Sequence, residues 1–266
     1  MATFAFEPIS SDKNPQVKLV KALLSQSRQR KKSGQTILEG AHLIDAALNS
    51  PLTINQVMVA ESMHHHPEVQ ALLSRLPETT TVLTLTDALY SSVKTLGTGI
   101  DILAIIDIPT PKLNAIHNDC LILNDVQDSG NVGALLRTAA AVGVNTILCT
   151  TQTAQAWSPK TLRAGMGAQF SLSIFEGLSI DDVLAYVKVP MLATSSHTKT
   201  LIYDYDLRAP LAWVMGHEGQ GVSQSFLQSA TAIALPQPNG QESLNVAIAG
   251  SLCLYETLRQ RHYSSK

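Results

Sequence analysis

Short apolar runs of strand length alternate with runs of helical periodicity along the chain, and this alternation restricts the fold more than any other feature. In the first half the predicted strands span 36–38, 54–59, 81–85 and 102–106, interleaved with helices such as 41–48 and 68–76. In the second half the predicted strands span 120–123, 146–149, 191–194, 211–215 and 232–235, with helices over 133–142 and from 243 to about 259. This alternation is typical of α/β folds.

Two prolines, Pro109 and Pro111, interrupt the alternation near the middle of the chain. Proline lacks a backbone N–H and has a fixed φ, so this pair fits an extended connector and neither a helix nor a central strand. We therefore expect two domains, spanning 1–110 and 111–266. At 266 residues, the chain is long enough to bury a sizeable apolar core without a metal ion or a disulfide.

The composition is that of a folded protein from a reducing compartment. Hydrophobic residues make up 45% and charged residues 15% of the chain, which excludes a disordered or collagen-like protein. The cysteines, Cys120, Cys149 and Cys253, lack the spacing of a zinc site, so we expect buried thiols and no metal. No apolar run approaches the roughly 18 residues of a membrane helix, and no signal peptide is recognisable. We predict a cytoplasmic protein without a membrane partner.

One segment is strongly basic, although the whole chain has a net charge of −2. Residues 13–32 carry a charge of +7, so the rest of the chain sums to −9. The basic residues of this segment are Lys13, Lys18, Lys21, Arg28, Arg30, Lys31 and Lys32. Such a local positive surface suggests a polyanionic partner. Considered alone, the segment fits a solvated helix face better than a surface that binds a nucleic acid, because aromatic residues for base stacking make up only 5% of the chain.

Polar clusters follow three predicted strands of the second half, at the edge where open α/β sheets bind ligands. The first cluster spans 124–137 and opens a helix. Gly130 and Gly133 permit a close backbone approach, and Asn131 is a candidate helix cap. Arg137 lies within the helix among apolar neighbours, so we expect it to meet an anion, either an aspartate or a bound phosphate.

The second cluster, 216–223, contains three glycines within six residues. No Gly-Lys-Ser/Thr follows them, which excludes a phosphate loop of the nucleotide-hydrolase type. Their late position in the domain excludes the fingerprint of a dinucleotide-dependent dehydrogenase. The glycines indicate that the backbone closely approaches either a ligand or another part of the chain.

The third cluster, 235–246, again follows a strand and leads into a helix. Asn239-Gly240 predicts a turn, and either Glu242 or Ser243 begins the helix. A capping role alone would explain Ser243. Asn245 is a polar residue in an apolar run, which favours a role of its own.

Taken together, these clusters resemble the SpoU/TrmH family of RNA ribose 2′-O-methyltransferases, within the SPOUT superfamily. The similar segments are Asn131-Val132-Gly133-Ala134-x-x-Arg137-Thr138, Val214-Met215-Gly216-His217-Glu218-Gly219-x-Gly221-Val222-Ser223, and Leu235-Pro236 with Glu242-Ser243-Leu244-Asn245-Val246. The resemblance covers roughly residues 119–260. The first half resembles the substrate-binding domain of many family members, through Arg28-x-Arg30 and the segment 37–44.

The resemblance implies a small N-terminal α/β RNA-binding domain, similar in fold to ribosomal proteins, and a C-terminal SPOUT α/β domain with a deep trefoil knot. Family members bind S-adenosylmethionine in the knot. By this resemblance the cofactor would contact Gly216, Leu235 and Leu244, with Thr194 and Ser195 at the preceding strand end.

The resemblance also implies an enzyme that methylates a ribose 2′-hydroxyl of RNA. Arg137 matches the catalytic arginine, which would hold an RNA phosphate and stabilise developing alkoxide charge while phosphate or water takes the proton. Asn131 would orient the ribose or Arg137, and Glu218 would fix the arginine or the knot loop. Ser243 and Asn245 would form hydrogen bonds near the reacting centre. A purely structural Glu218 is the alternative.

The resemblance further implies a homodimer with the knot at its interface. It also favours the interpretation of the basic segment as an RNA-binding surface, with contacts from Lys21, Arg28, Arg30, Lys31 and Lys32. The additional domain favours ribosomal RNA as substrate. The alternatives are ribose methylation of transfer RNA, methylation of a base nitrogen, and a non-catalytic RNA-binding protein of ribosome assembly.

Two positions depart from the family pattern. His217 occupies a position where asparagine is frequent, and Gly165 one where serine is common. These departures concern the details of cofactor or substrate contact and leave the expected reaction unchanged.

Overall fold

The structure is a computed structural model that describes residues 3–4, 7–239 and 243–263. The chain divides into two compact units, one formed by Met1–Pro109 with Trp157–Phe170 and the other by Thr110–Ala156 with Ser171–Lys266. Each unit has its own sheet flanked by helices, which confirms the predicted α/β class. The assignment of separate functions to 1–110 and 111–266 stays a prediction.

The first unit contains a mixed five-stranded sheet in the order β1-β4-β3-β5-β2. With elements numbered along the chain, its strands are β1 (Thr3–Phe4), β2 (Gln35–Glu39), β3 (Ile54–Ala60), β4 (Thr81–Leu85) and β5 (Ile102–Asp107). Its helices are α1 (Pro15–Ser25), α2 (Ser27–Ser33), α3 (Ala41–Leu48), α4 (Pro67–Leu73), α5 (Asp87–Ser91) and α7 (Pro159–Gly165), with a 3-10 turn at Glu61–Met63. Strand β5 runs antiparallel to both of its neighbours.

Helix α1 covers one face of this sheet through side chains spaced three residues apart. Val17, Val20 and Leu23 are fully buried in the core that includes Ile37 and Leu103, as expected for an amphipathic helix. The Asn14 side chain caps the helix, and Pro15 occupies its first turn, where a missing N–H costs nothing. The basic residues that follow form the separate helix α2, because the backbone is extended at Gln26.

A segment from the second half of the sequence completes the first unit. The hydroxyl of Thr36 on β2 donates to the carbonyl of Trp157 across 2.6 Å. Arg163 of α7 pairs with Glu39 at 2.7 Å, and the Glu39 side chain is only 3% exposed. Thr95 donates to the same carboxylate through its N–H and its hydroxyl. These bonds satisfy a buried charge.

The second unit contains six parallel strands in the order β11-β9-β10-β6-β7-β8. The strands are β6 (Cys120–Leu123), β7 (Thr146–Thr150), β8 (Ser173–Leu178), β9 (Met191–Thr194), β10 (Ala212–Met215) and β11 (Thr231–Ile233). The helices are α6 (Ser129–Val142), α8 (Ile180–Tyr186), α9 (Gln224–Leu227) and α10 (Val246–His262), with a 3-10 turn at Ile202–Asp204; another, Ala168–Ser171, spans the point where the chain passes from the first unit to the second. The central strands are apolar throughout and fully buried, as parallel strands covered on both faces require.

Helix α10 packs closely against α6 and β10. A Cβ atom added to Gly250 would lie 2.4 Å from Cδ2 of Leu135 and 3.1 Å from the sulfur of Met215. The indole N–H of Trp213 donates to the hydroxyl of Thr257 across 3.0 Å within the same buried layer. The glycine therefore permits a close approach that a larger residue would prevent.

The three cysteines are buried, as predicted. Burial, assisted by the neighbouring charge of Asp119, raises the pKa of Cys120 to about 12. Burial also raises the pKa of Cys149 and of Cys253. Within the described part of the chain, no helix has both the length and the apolar character needed to cross a membrane.

Several predicted boundaries were wrong. Helix α6 begins at Ser129, four residues earlier than predicted, because Asp128 and not Asn131 caps it by accepting from the Asn131 N–H. The last helix begins at Val246 and not at Ser243, since Asn245 provides its cap. Glu242, the alternative start, lies outside the described residues, as does Gly240 of the predicted turn. Strand β8 and helix α8 were not predicted.

Candidate active site

The loops that follow β6 and β10 meet at the carboxylate of Glu218. Its Oε2 accepts from the N–H of Gln127 at 3.1 Å, and its Oε1 accepts from the N–H of Asp128 at 3.0 Å. The same Oε1 accepts from Nδ2 of Asn131 at 3.0 Å. Both carboxylate oxygens are therefore engaged at the amino-terminal end of α6, where the helix dipole favours a negative charge.

The side chain of Asn131 continues this contact to the start of α10. Its Oδ1 accepts from Nδ2 of Asn245 at 2.9 Å. The Oδ1 of Asn245 in turn accepts from the N–H groups of Ala247 and Ile248, which caps the helix. A continuous chain of hydrogen bonds, Glu218–Asn131–Asn245, thus joins the three polar clusters predicted from the sequence.

Glu218 stays ionised far below neutral pH. Burial alone would raise its pKa, but the hydrogen bonds from the Asn131 side chain and from the backbone of Asp128 and Gln127 together lower it to about 2. A carboxylate with this pKa, whose oxygens are already engaged, is a poor proton acceptor at neutral pH. Its contacts suit a group that holds the two loops and Asn131 in place.

The loop between β6 and α6 is fixed at successive residues. Asn124 accepts from the Ser223 N–H through Oδ1 at 2.7 Å. Asp125 has a left-handed backbone with φ of 58°, and its N–H donates to the hydroxyl of Thr150 at 2.8 Å. The carbonyl of Val126 accepts from the N–H of Ala154. Because left-handed backbone is unfavourable for most L-residues, these contacts hold the loop in a conformation that it would rarely adopt alone.

The glycine-rich cluster folds back on itself. A Cβ atom at Gly216 would lie 2.2 Å from backbone atoms of Gly221 and Val222. This close approach of the backbone is by itself enough to require a glycine. His217 and Gly221 exchange two backbone hydrogen bonds. The Nδ1 of His217 accepts from the N–H groups of Gly219 and Gln220 at 2.9 and 3.2 Å. The imidazole thus supplies the acceptor that an asparagine side chain commonly provides in turns.

Arg137 lies on the surface of α6 and is exposed. Among the described residues, no carboxylate or other group bonds to its guanidinium. Of the two predicted anions, the aspartate is therefore not found, and a bound phosphate is the partner that stays open. Contacts of Glu218 and Asn131 with Arg137 were predicted from the sequence as alternatives. Neither side chain forms a hydrogen bond with the arginine among the described residues. Ser243 is exposed beside the start of α10.

The residues predicted to bind a cofactor follow neighbouring strands at one edge of the sheet. In the pairing of β11 with β9, Ile233 lies opposite Thr194, and Gly216 directly follows β10 on the other side of β9. Ser195 donates its N–H to the carbonyl of Ile233. Leu235 lies just beyond β11 and is partly exposed, and Leu244 is 37% exposed.

Three buried polar atoms near this edge have their hydrogen-bonding capacity unused among the described residues: Nδ2 of Asn124, Oγ of Ser223 and Oε1 of Gln237. Oε1 of Gln237 is buried, and no donor reaches it among the residues that the structure describes. A buried acceptor two residues after the partly exposed Leu235 fits a ligand that combines polar edges with apolar faces, as an adenine ring does. The residues at this edge therefore fit an adenosyl cofactor.

The predicted RNA contacts divide into two groups. Arg28, Lys31 and Lys32 of α2 are exposed, and Lys21 of α1 is half-buried. Arg30 is only 7% exposed, and its Nη1 donates to the carbonyl of Leu23 at 2.6 Å. This guanidinium connects α2 to α1, which is a poor position from which to contact a phosphate.

Comparison with known proteins identifies the family of this chain. Residues 119–255 match the model of the SpoU rRNA Methylase family. The chain belongs to this family. Residues 14–104 match the MRM3-like substrate binding domain. The SpoU match covers the Glu218–Asn131–Asn245 chain of hydrogen bonds and Arg137.

Relatives of SpoU type span nearly the whole chain. An uncharacterized tRNA/rRNA methyltransferase of Synechocystis is 31% identical over 97% of this chain and 95% of its own length. The 23S rRNA (guanosine(2553)-2′-O)-methyltransferase RlmP of Bacillus subtilis is 29% identical over 93% of this chain and 97% of its own length. The AdoMet-bound rRNA methyltransferase of Sinorhizobium meliloti is 26% identical, with a TM-score of 0.84 over 97% of this chain and 99% of that one.

Sequence reasoning missed part of the SpoU site. Asn124, Asp125 and Ser223 fix the loop conformation and lie within the predicted polar clusters, but no role was predicted for them, and Thr150 lies outside the clusters, since no spacing along the chain brings these residues together. A polar Asn124 directly after a fully apolar strand was an available signal. For Thr150 the sequence offers no comparable signal, because a threonine at a strand end is ordinary.

Proposed function

We propose that this chain transfers the methyl group of S-adenosylmethionine to a ribose 2′-hydroxyl of ribosomal RNA. The observation that carries the proposal is the Glu218–Asn131–Asn245 chain of hydrogen bonds, which brings the three SpoU motifs to one edge of the sheet. The names of the relatives in Bacillus subtilis and Sinorhizobium meliloti support ribosomal RNA as the substrate class.

The cofactor would lie along the carboxyl edge of β9, β10 and β11. Thr194, Ser195, Gly216, Leu235 and Leu244 would hold it, and the unused Oε1 of Gln237 supports a polar contact there. When bound, S-adenosylmethionine supplies a methyl group made electrophilic by its sulfonium. We extend the proposal to a trefoil knot formed by these segments.

Arg137 would act on the RNA. Its exposed guanidinium has no partner among the described residues, so it is available to bind a phosphate and to stabilise negative charge on the attacking 2′-oxygen. The proton would pass to phosphate or water. Asn131 uses one amide hydrogen and its oxygen within the hydrogen-bond chain, which leaves the other hydrogen for the ribose. Ser243 and Asn245 would complete the polar surface around the hydroxyl.

Glu218 is a positioning residue in this mechanism. Its low pKa and its three accepted hydrogen bonds oppose a role as the base. They support a role in fixing Asn131 and the start of α6, from which Arg137 projects two turns later. The placement of the arginine would therefore depend on a carboxylate that it does not touch.

The first unit would bind the RNA substrate, and residues 111–266 would carry the catalytic residues. Lys21, Arg28, Lys31 and Lys32 are the proposed phosphate contacts, whereas Arg30 is left out because of its burial. Phosphate contacts of this kind weaken steeply as salt concentration rises. The free thiols support action in the reducing cytoplasm.

The exposed face of α10 supports a homodimer. Ile248, Leu252 and Tyr255 recur at helical spacing and are 56, 45 and 53% exposed. Large apolar side chains on one helix face indicate a surface that is covered in the assembled protein. In a dimer with a twofold axis, the apolar face of α10 in each copy would cover the same face of the other copy.

The test is methyl transfer from labelled S-adenosylmethionine into total RNA from a strain that lacks the gene, followed by nuclease digestion and nucleoside analysis. We expect a 2′-O-methylnucleoside in ribosomal RNA. Arg137→Ala should reduce its formation by about a hundredfold while cofactor binding is retained. Arg208→Ala, which removes another exposed arginine of the same unit, is the matched control.

Other outcomes would redirect the assignment. A methylated base would contradict ribose as the acceptor, and label in transfer RNA alone would contradict the ribosomal substrate. Binding of cofactor and ribosomal RNA without transfer to free RNA or to precursor ribosomal particles would favour the assembly protein.

A further inference from the structure

A groove of about 290 Å³ lies on the first sheet, beside the amino-terminal end of α1. Four of its eight described lining residues carry carboxamides: Gln16 of α1, Gln35 of β2, and Asn55 and Gln56 of β3. The other lining residues are Leu19, Thr81, Leu83 and Ile105. We call this site the amide groove. None of the described residues that line it is charged.

The central residue of the amide groove is Gln56, which is 8% exposed. It lies on the middle strand of the sheet, with Thr81 opposite it on β4 and Ile105 opposite it on β5. In the described part of the chain, no group forms a hydrogen bond with its carboxamide. Two residues further along the same strand face, Met58 is part of the apolar core.

Although the Gln56 side chain is largely buried, its polar atoms still reach the groove, where water or a ligand supplies their hydrogen bonds. An apolar side chain at position 56 would simply extend the core beneath α1. The hydrogen-bond partner of Gln56 must therefore come from outside the chain. The groove in front of the side chain provides space for a ligand that supplies it.

Asp107 fixes the orientation of two other amides. Its Oδ1 accepts from Nε2 of Gln35 at 3.1 Å and from Nδ2 of Asn55 at 2.6 Å. Because an ionised carboxylate only accepts hydrogen bonds, both amides must present N–H groups to it. Their oxygens are then left as acceptors, so a ligand with neighbouring donors could bond to both.

The size and composition of the groove fit one nucleobase. Its 290 Å³ lies at the lower end of ligand pockets, which hold drug-sized molecules from roughly 300 Å³ upwards. Unpaired RNA bases are commonly read through hydrogen bonds to their polar edges and contacts to their faces. Carboxamides would serve the edge, and Leu19, Leu83 and Ile105 the faces.

The charge beside the groove fits the backbone of the same ligand. Gln16 and Leu19 belong to α1, which also carries the exposed Lys18 and lies within the basic segment 13–32. Lys18 projects from another side of α1 than Gln16 and Leu19, so the basic segment would contribute positive potential near a bound RNA backbone and not a direct contact at the groove. Guanine is the base whose pairing edge carries neighbouring imino and amino donors, which match the acceptors of Gln35 and Asn55.

We propose that the amide groove binds an unpaired guanine of the RNA substrate and thereby contributes sequence selectivity outside the active site. This inference rests on the proposed function, because its ligand is part of the RNA to be methylated. Gln56 would hydrogen-bond the base from below, and Gln35 and Asn55 would read its donors.

The test uses the full chain and ribosomal RNA transcribed with 6-thioguanosine in place of some guanosine. Irradiation of the complex should crosslink this base to peptides that contain β3 or β4. Gln56→Met preserves the volume of the side chain but removes its hydrogen bonds. We expect it to weaken RNA affinity by roughly tenfold and to remove the crosslink, with unchanged kcat at saturating RNA and unchanged affinity for S-adenosylmethionine.

Gln70→Met is the matched control, since Gln70 is an exposed amide of α4 outside the groove, and it should behave as wild type. If Gln56→Met lowers the melting temperature strongly, the less buried pair Gln35→Met and Asn55→Leu tests the same groove. Unchanged RNA affinity in these variants, or crosslinks confined to other peptides, would overturn the proposal for the amide groove. Methyl transfer by the wild type would in that case still support the proposed function. A wild type that neither binds nor methylates RNA would overturn both.

Discussion

Asn245 donates a hydrogen bond from Nδ2 to Oδ1 of Asn131 across 2.9 Å, although 114 residues separate them along the chain. The other end of the same amide, Oδ1, caps α10 by accepting from Ala247 and Ile248. One side chain therefore begins the last helix and also extends the hydrogen bonds that start at Glu218. Different atoms perform these two tasks, so they are separable by substitution.

Asn245→Asp should retain the cap and lose the link to Asn131. A carboxylate accepts the two helix N–H groups, but it has no donor for Oδ1 of Asn131. We expect stability within about 0.5 kcal/mol of wild type and methyl transfer at least tenfold slower. Asn245→Ala, the comparison variant, should also lose about 1 kcal/mol of stability. Urea unfolding and initial transfer rates measure the two effects, and full activity in the aspartate variant would refute the role of the link.

The depressed pKa of Glu218 predicts how its contribution to stability depends on pH. Its pKa falls from an ordinary value of 4.5 to about 2 in the folded chain, so the ionised form stabilises the fold. This contribution is complete above about pH 5 and declines as the pH falls from about 4.5 towards 2. The stability difference between wild type and Glu218→Gln should therefore shrink as the pH is lowered from 7 to 4.

Urea unfolding at several pH values measures this dependence. Glu61→Gln, at an exposed glutamate of the first unit, is the control for the loss of one carboxylate. At neutral pH, Glu218→Gln should also slow methyl transfer by tenfold or more, because the new amide NH2 replaces one carboxylate oxygen and therefore faces the N–H of either Gln127 or Asp128. If the stability difference between wild type and Glu218→Gln grew as the pH was lowered, ionised Glu218 would not be the form that stabilises the fold.

Gly250→Ala tests the close approach of α10 to α6. The added methyl group would lie 2.4 Å from Leu135 Cδ2, so the helices must separate or the leucine must change rotamer. We expect a loss of about 1–3 kcal/mol, less the gain of up to about 1 kcal/mol from the higher helix propensity of alanine. Gly97→Ala is the matched control, because no atom lies within 4 Å of its added Cβ. Equal melting temperatures for both variants would show that the interface yields without cost.

Charge on the exposed face of α10 should dissociate the proposed dimer. Ile248→Lys combined with Leu252→Lys places two like charges on the apolar stripe and on its symmetry copy, where burial would be unfavourable. Sedimentation equilibrium should show a monomer for this variant and a dimer for wild type. Tyr186→Lys, at a 36% exposed tyrosine of α8, should remain dimeric. A wild type that sediments as a monomer would refute the role of this face.

Local sequence patterns predicted most elements because short-range physics determines them. The apolar runs from Cys120 to Leu123 and from Met191 to Thr194 became the strands β6 and β9 without a change of boundary, since strands buried on both faces are apolar throughout. Helix starts were less predictable. Asp128 and Asn131 are both good caps, and only the path of the preceding loop selected Asp128.

The sequence by itself determined the α/β class, the family motifs and the polar clusters that become the site. The tertiary structure alone decided that Glu218 contacts Asn131 and not Arg137, that Arg30 is buried, and that Trp157–Phe170 joins the first unit. It also placed an unpartnered Gln56 in front of a groove. The physical reason is range: periodicity and capping act over a few residues, whereas these contacts depend on how the chain crosses between distant strands and helices.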